Sequence, residues 1–108
     1  MIKGLIAPIA GCAFLLITGA AHAGDYILTL KDQKFAPQEL TVPAGQKIRL
    51  TVKNLNSTPA EFESYDLNRE KIIKAGDEVV VNIGPLAPGT YKIFDDFHEE
   101  TTGVIKAQ

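Results

Sequence analysis

The sequence predicts an all-β protein, a sandwich of about seven short strands. Three observations predict it. Apolar residues alternate with polar ones, most clearly where Ile48, Leu50 and Val52 alternate with Lys47, Arg49, Thr51 and Lys53. Turn signals built from Pro, Gly, Asn and Asp recur roughly every eight to twelve residues. Beyond the first 23 residues no stretch carries a convincing helical pattern.

The chain opens with Lys3, an apolar run from Gly4 to about Ala21, and then Ala21-His22-Ala23. A short basic start, an apolar middle and an A-x-A ending make a secretory signal peptide, with cleavage expected after Ala23. An uncleaved membrane anchor is the rival, because the run reaches the lower limit for a span. A lipoprotein cut before Cys12 is a third reading, but it would leave Ala13-Phe14-Leu15-Leu16-Ile17 behind it. The Gly and Ala content and the A-x-A ending favour cleavage. The expected organisation is therefore residues 1–23 as leader and residues 24–108 as one domain.

Of 108 residues, 85 remain after the leader, with 10 Lys and Arg against 13 acids and a net charge of −3. Cys12, Met1 and His22 leave with the leader, so this part has no Cys, no Met and one histidine, His98. No disulfide staples the fold. Its length suffices for one modest core. Mild acidity without a basic patch argues against nucleic acid as a partner.

The elements follow in order. Asp25 to Leu30 is a strand, and Lys31-Asp32-Gln33-Lys34 a polar turn. Phe35 to Val42 reads as one edge strand, with Pro37 tolerated near its start. Pro43-Ala44-Gly45-Gln46 is a turn that leads into the alternating strand at Lys47–Lys53. Asn54 to Pro59 is a loop, and its Asn56-Ser57-Thr58 matches a glycosylation acceptor that reads better as a plain polar loop. Ala60 to Tyr65 is a strand, and Asp66 to Glu70 a turn or one helical turn. Lys71 to Lys74 is short and extended. Glu78 to Ile83 is a β-branched strand. Gly84 to Gly89 is a double turn, Thr90 to Phe94 a strand, and Gly103 to Ala107 the last one.

The chemistry concentrates before that last strand. Asp95, Asp96, Glu99 and Glu100 put four carboxylates within six residues around His98, with no Lys or Arg among them. Such a loop repels itself unless it faces water or a cation. Asp95 shares a face with Tyr91 and Ile93. If those two are core, Asp95 points inward, where a lone carboxylate needs a metal, a proton or nearby backbone N–H groups. His98 is a ligand or an exposed loop histidine. Asp96, Glu99 and Glu100 read as a solvated rim that still attracts cations. Glu61 and Glu63 share a face, and periodicity leaves open whether that face or Phe62 is inward. Nothing supports nucleophilic catalysis: no second histidine completes a triad, and no glycine loop cradles phosphate.

Two halves of the chain carry a resemblance. Phe35-x-Pro37-x-x-Leu40-x-Val42-Pro43-Ala44-Gly45, then an alternating strand and Asn54, form the first. Pro88-Gly89-x-Tyr91-x-Ile93-x-Asp95-x-x-His98, then Gly103-Val104-Ile105, form the second. Together they resemble a cupredoxin, a Greek-key sandwich, over nearly all of residues 24–108. More narrowly the chain is similar to the EfeO-type, FtrB-like cupredoxin domains of bacterial periplasmic iron uptake, on Glu61-Phe62-Glu63. In the pattern of blue copper proteins, Asp95 stands at the Cys position, Glu61 at the first His, His98 at the second His, and Thr101 near the Met.

The resemblance implies a periplasmic metal-binding protein that is not a type 1 blue copper centre, since thiolate and thioether are both missing. Iron or copper(II) is the implied metal. Glu61, Asp95 and His98 are the implied first ligands, with Glu61 facing inward, and Glu63, Glu99 and Glu100 stand in reserve. The implied task is ferrous iron acquisition, with hand-over to an inner-membrane iron permease or other periplasmic components. Iron oxidation would require a redox metal here or in a partner. One imidazole per chain leaves open a site shared across a homodimer. The alternative is a non-metal interaction module that docks a transport partner through its acidic end.

Overall fold

The computed structural model describes residues 24–108, so the leader, its cleavage point and Cys12 lie outside the described residues. Nine strands form: β1 (Asp25–Lys31), β2 (Lys34–Ala36), β3 (Glu39–Val42), β4 (Ile48–Asn54), β5 (Ala60–Ser64), β6 (Arg69–Ile73), β7 (Glu78–Ile83), β8 (Gly89–Asp95) and β9 (His98–Ala107). They build a four-stranded sheet ordered β2-β1-β4-β7 and a five-stranded sheet ordered β3-β9-β8-β5-β6. Both sheets are mixed, since β1 pairs parallel with β4 and β3 parallel with β9. The predicted all-β sandwich is the observed one. No helix among the described residues is long and apolar enough to cross a membrane.

Period two explains the packing. Ile48, Leu50 and Val52 of β4 are at most 2 % exposed. They meet Leu28, Leu30, Val81 and Ile83 of their own sheet and Phe62, Ile73, Ile93 and Ile105 of the other in one core. Each such side chain contributes roughly 1.5–3 kcal/mol by leaving water. Gly103 sits where β9 passes the chain leading into β3. A Cβ there would lie 2.9 Å from the Gln38 carbonyl oxygen and 3.3 Å from the Phe35 ring.

Three segments differ from the sequence reading. The edge strand expected over Phe35–Val42 is two strands, because the chain crosses from one sheet to the other at Pro37-Gln38. Arg69 and Glu70, expected in a turn, begin β6 opposite Ser64 and Glu63. The acidic stretch is mostly strand, since only Asp96 and Phe97 separate β8 from β9. Asp95 pairs with His98 and Phe94 with Thr102, so Glu99, Glu100 and Thr101 bulge from β9 with no residue opposite.

β1, β4, β6 and β8 end, and β5, β7 and β9 begin, at one end of the sandwich, here called the His98 pole. Asn54 organises it. Its buried side-chain amide donates to the carbonyls of Thr58 (2.9 Å) and Ile73 (3.0 Å) and accepts from the Asn56 N–H (3.0 Å). The Asn56 side chain is itself buried and accepts the Gln33 N–H, which agrees with a polar loop rather than a glycan acceptor. Replacing Asn54 with Ala strands several buried polar groups. Urea unfolding of Asn54→Ala is expected to show a loss of roughly 2–4 kcal/mol.

Candidate functional site

Asp95 ends β8 and is fully buried. It pairs with Phe62, a core residue, and so faces the interior. One carboxylate oxygen accepts the backbone N–H of Glu61 (2.9 Å) and of Phe97 (3.0 Å). The other lies 2.9 Å from His98 Nδ1. The N–H of Asp96 returns a bond to the Glu61 carbonyl at 2.9 Å. The inward carboxylate therefore meets its desolvation cost with two backbone donors and one imidazole. That arrangement is the backbone N–H alternative in the sequence reading. His98, about a quarter exposed, is left with Nε2 as its one unengaged ring nitrogen. Thr101 turns to the Gln33 carbonyl (2.7 Å).

Glu61 stands elsewhere. Phe62 takes the core face of β5 at 0 % exposure, so Glu61 and Glu63 occupy the outer face. The expected inward Glu61 is corrected by this parity, and with it the expected convergence of Glu61, Asp95 and His98. Asp95 and His98 meet each other. The Glu61 carboxylate instead meets Glu63 and Glu70, with ligand oxygens of all three within 4.8 Å of one another. Glu70 lies directly across from Glu63 on β6. Glu99 and Glu100 sit exposed on the β9 bulge and do not join this group.

The electrostatics of the three glutamates follow from crowding. Glu61 is 7 % exposed. Its carboxyl is pushed up from 4.5 to about 7, first by a hydrogen bond with the Glu70 carboxyl, then by burial, then by the negative charges of Glu70 and Asp96. Glu63 is also raised, by burial first and then by Glu70 and Asp96. A group of carboxylates held this close takes up either protons or a cation. Glu70 was missed in the sequence because it reads as part of a turn. The signal that finds it is the hairpin itself: a four-residue Tyr65–Asn68 connection sets Glu70 opposite Glu63.

The two-sheet sandwich is of the cupredoxin type, the fold of the solved structures it resembles. The chain belongs to the cupredoxin-like domain family, whose pattern matches residues 5–107. It is 47 % identical over 74 residues to an uncharacterized protein of Rickettsia prowazekii, covering 68 % of this chain and 59 % of that one. Its fold is similar to a purple cupredoxin from Nitrosopumilus maritimus (TM-score 0.62, 20 % identity, 78 % of this chain and 100 % of that one). It is also similar to auracyanin from Roseiflexus castenholzii (TM-score 0.64, 17 % identity, 78 % and 96 %). A third neighbour is the metal-binding domain of the Cu(I)-exporting P-type ATPase CopA of Streptococcus pneumoniae (TM-score 0.67, 12 % identity, 78 % and 84 %).

Two predictions follow from this geometry. Asp95→Ala leaves the Glu61 and Phe97 N–H groups and His98 Nδ1 without their acceptor. Denaturant unfolding of that variant is expected to show a loss of roughly 2–5 kcal/mol. Glu61 has a folded-state pKa above its ordinary value, so its contribution is fully present below about pH 4.5 and is lost as pH rises through about 7. In chelator-treated protein, urea midpoints are expected to fall between pH 5 and pH 8. Glu61→Gln is expected to flatten that fall and to leave the variant the more stable of the two at pH 8.

Proposed function

We propose that this protein is an exported, periplasmic metal-binding member of its family that serves ferrous iron acquisition. Its metal is held by Glu61, Glu63 and Glu70 on the outer face of the five-stranded sheet. The observation that carries this reading is the convergence of three carboxylates within 4.8 Å around a buried Glu61. Hard oxygen donors suit iron and Mn(II), and carboxylates alone also suit Ca and Mg. The iron role and hand-over to an inner-membrane permease are supported by the resemblance at Glu61-Phe62-Glu63. Copper(II) remains the rival metal, since nitrogen and oxygen donors suit it.

The donor set at the His98 pole does not fit a thiolate copper centre. Residues 24–108 hold no Cys and no Met, and His98 Nδ1 and the Asp95 carboxylate are hydrogen-bonded to each other. The second reading, a docking module for a transport partner, rests on a different observation. Leu55 and Phe97, 53 % and 48 % exposed, flank the same pole.

Calorimetric titration with ferrous iron under anaerobic conditions, then with Mn(II), Zn(II) and Cu(II), tests the metal reading. Binding near one equivalent is expected, lost in Glu61→Gln and Glu70→Gln and kept in His98→Ala. Because Glu61 titrates near 7, binding at pH 6.5 is expected to release protons, read as a dependence on buffer ionisation heat. Binding lost in His98→Ala but kept in Glu61→Gln would move the metal to the pole. Absence of binding for every metal would leave the docking module.

A further inference from the structure

The end of the sandwich opposite His98 carries a second charged feature, of opposite sign. A groove of about 510 Å³ opens between the starts of β1, β4 and β6 and the end of β7. Lys47, Arg49 and Arg69 line it, together with Asn82, Asp25 and the backbone of Gly24. Arg49 lies on the outer face of β4, and Lys47 two residues earlier immediately precedes that strand. Arg49 stands directly across from Asn82 of β7.

Arg69 reaches the same place from β6. Its Nε donates to the Asn82 carbonyl at 2.9 Å, and another guanidinium nitrogen donates to the Asn68 carbonyl at 2.9 Å. The fork is thus positioned by backbone before any ligand arrives. Among the described residues, none of these three cations has a carboxylate within 4 Å. Asp25, paired with Arg49 in register, offsets one of the three charges. A net positive groove remains, with Arg69 bonded to the Asn82 carbonyl and Arg49 paired in register with the same residue.

We propose that this groove binds an oxyanion of the phosphate class, seated between Arg49 and Arg69 with Lys47 at its rim. Guanidinium is suited to this task, because its planar fork matches phosphate oxygens and desolvates more easily than an ammonium. The groove does not depend on the metal reading. Two sources supply such a group: free inorganic phosphate and the headgroup of an anionic phospholipid.

The test uses the protein as recovered from an exporting host. Amide shifts are followed by NMR during titration with sodium phosphate. Sedimentation is followed with phosphatidylcholine vesicles that contain or lack phosphatidylglycerol. Arg49→Gln is the main variant, since the Arg49 side chain makes no hydrogen bond among the described residues. Arg69→Lys keeps the charge and removes the fork. Lys53→Gln removes a cation at the far end of β4.

Phosphate shifts centred on Arg49, Arg69 and Asn82, weakened about tenfold in Arg49→Gln and unchanged in Lys53→Gln, would establish a free-anion site. Binding confined to phosphatidylglycerol vesicles, with the same variant pattern, would assign the groove to a lipid headgroup. Equal weakening in Arg49→Gln and Lys53→Gln would reduce the effect to net charge and overturn the proposal. Absence of binding to both probes would overturn it as well.

Discussion

A carboxylate buried in a β-sandwich must be neutralised or fully hydrogen-bonded, and Asp95 is the residue on which this constraint falls. Its oxygens gather the N–H of Glu61 from β5, the N–H of Phe97 from the β8–β9 turn, and the imidazole of His98. Three elements are thereby joined at a single side chain with no exposed surface. The Asp96 N–H, bonded back to the Glu61 carbonyl, makes the junction reciprocal. The hydrogen-bonded pair of Asp95 and His98 cross-links the two strands of the hairpin.

The same junction decides where the remaining acids go. Phe62 pairs with Asp95, and both fill the interior. Strand parity then sends Glu61 and Glu63 outward, and the β5–β6 register places Glu70 beside them. A shift of one residue in β5 would exchange the two sets and expose Phe62. The core therefore enforces the acidic cluster. Three carboxylates would not gather at this distance for their own stability, as the rise of Glu61 to about 7 records.

Much of this was readable from the chain, and the rest was hidden for identifiable reasons. The alternation at Ile48, Leu50 and Val52 named a half-buried strand, and those side chains are core. The inward direction of Asp95 followed from Tyr91 and Ile93, one of them partly and one fully buried. Parallel pairing of β1 with β4 and of β3 with β9 left no local trace, because such contacts join residues far apart in sequence. The sheet crossing at Pro37-Gln38 was equally invisible, since both halves keep strand character. For β5, Ala60 and Phe62 alternate with Glu61 and Glu63, but Tyr65 on the glutamate face and Ser64 on the Phe62 face blurred the contrast that would set its facing. Resemblance placed Glu61 inward, and the volume of Phe62 overruled it. Glu70 gained meaning only from its cross-strand partner.

Placing opposite charges at separate places on one small sandwich has a physical logic. The glutamate cluster lies on the outer face of one sheet, and the Lys47, Arg49 and Arg69 groove lies at the end away from His98. The two sites adjoin on β6, where Arg69 of the groove and Glu70 of the cluster are successive residues and strand alternation turns them to opposite faces. Strand parity does most of the sorting. Every outward position on β4 is polar, with Arg49, Thr51 and Lys53 facing solvent while Ile48, Leu50 and Val52 fill the core. The outward positions of β5 carry acids instead, so two sheets that share one core present different chemistry to the solvent.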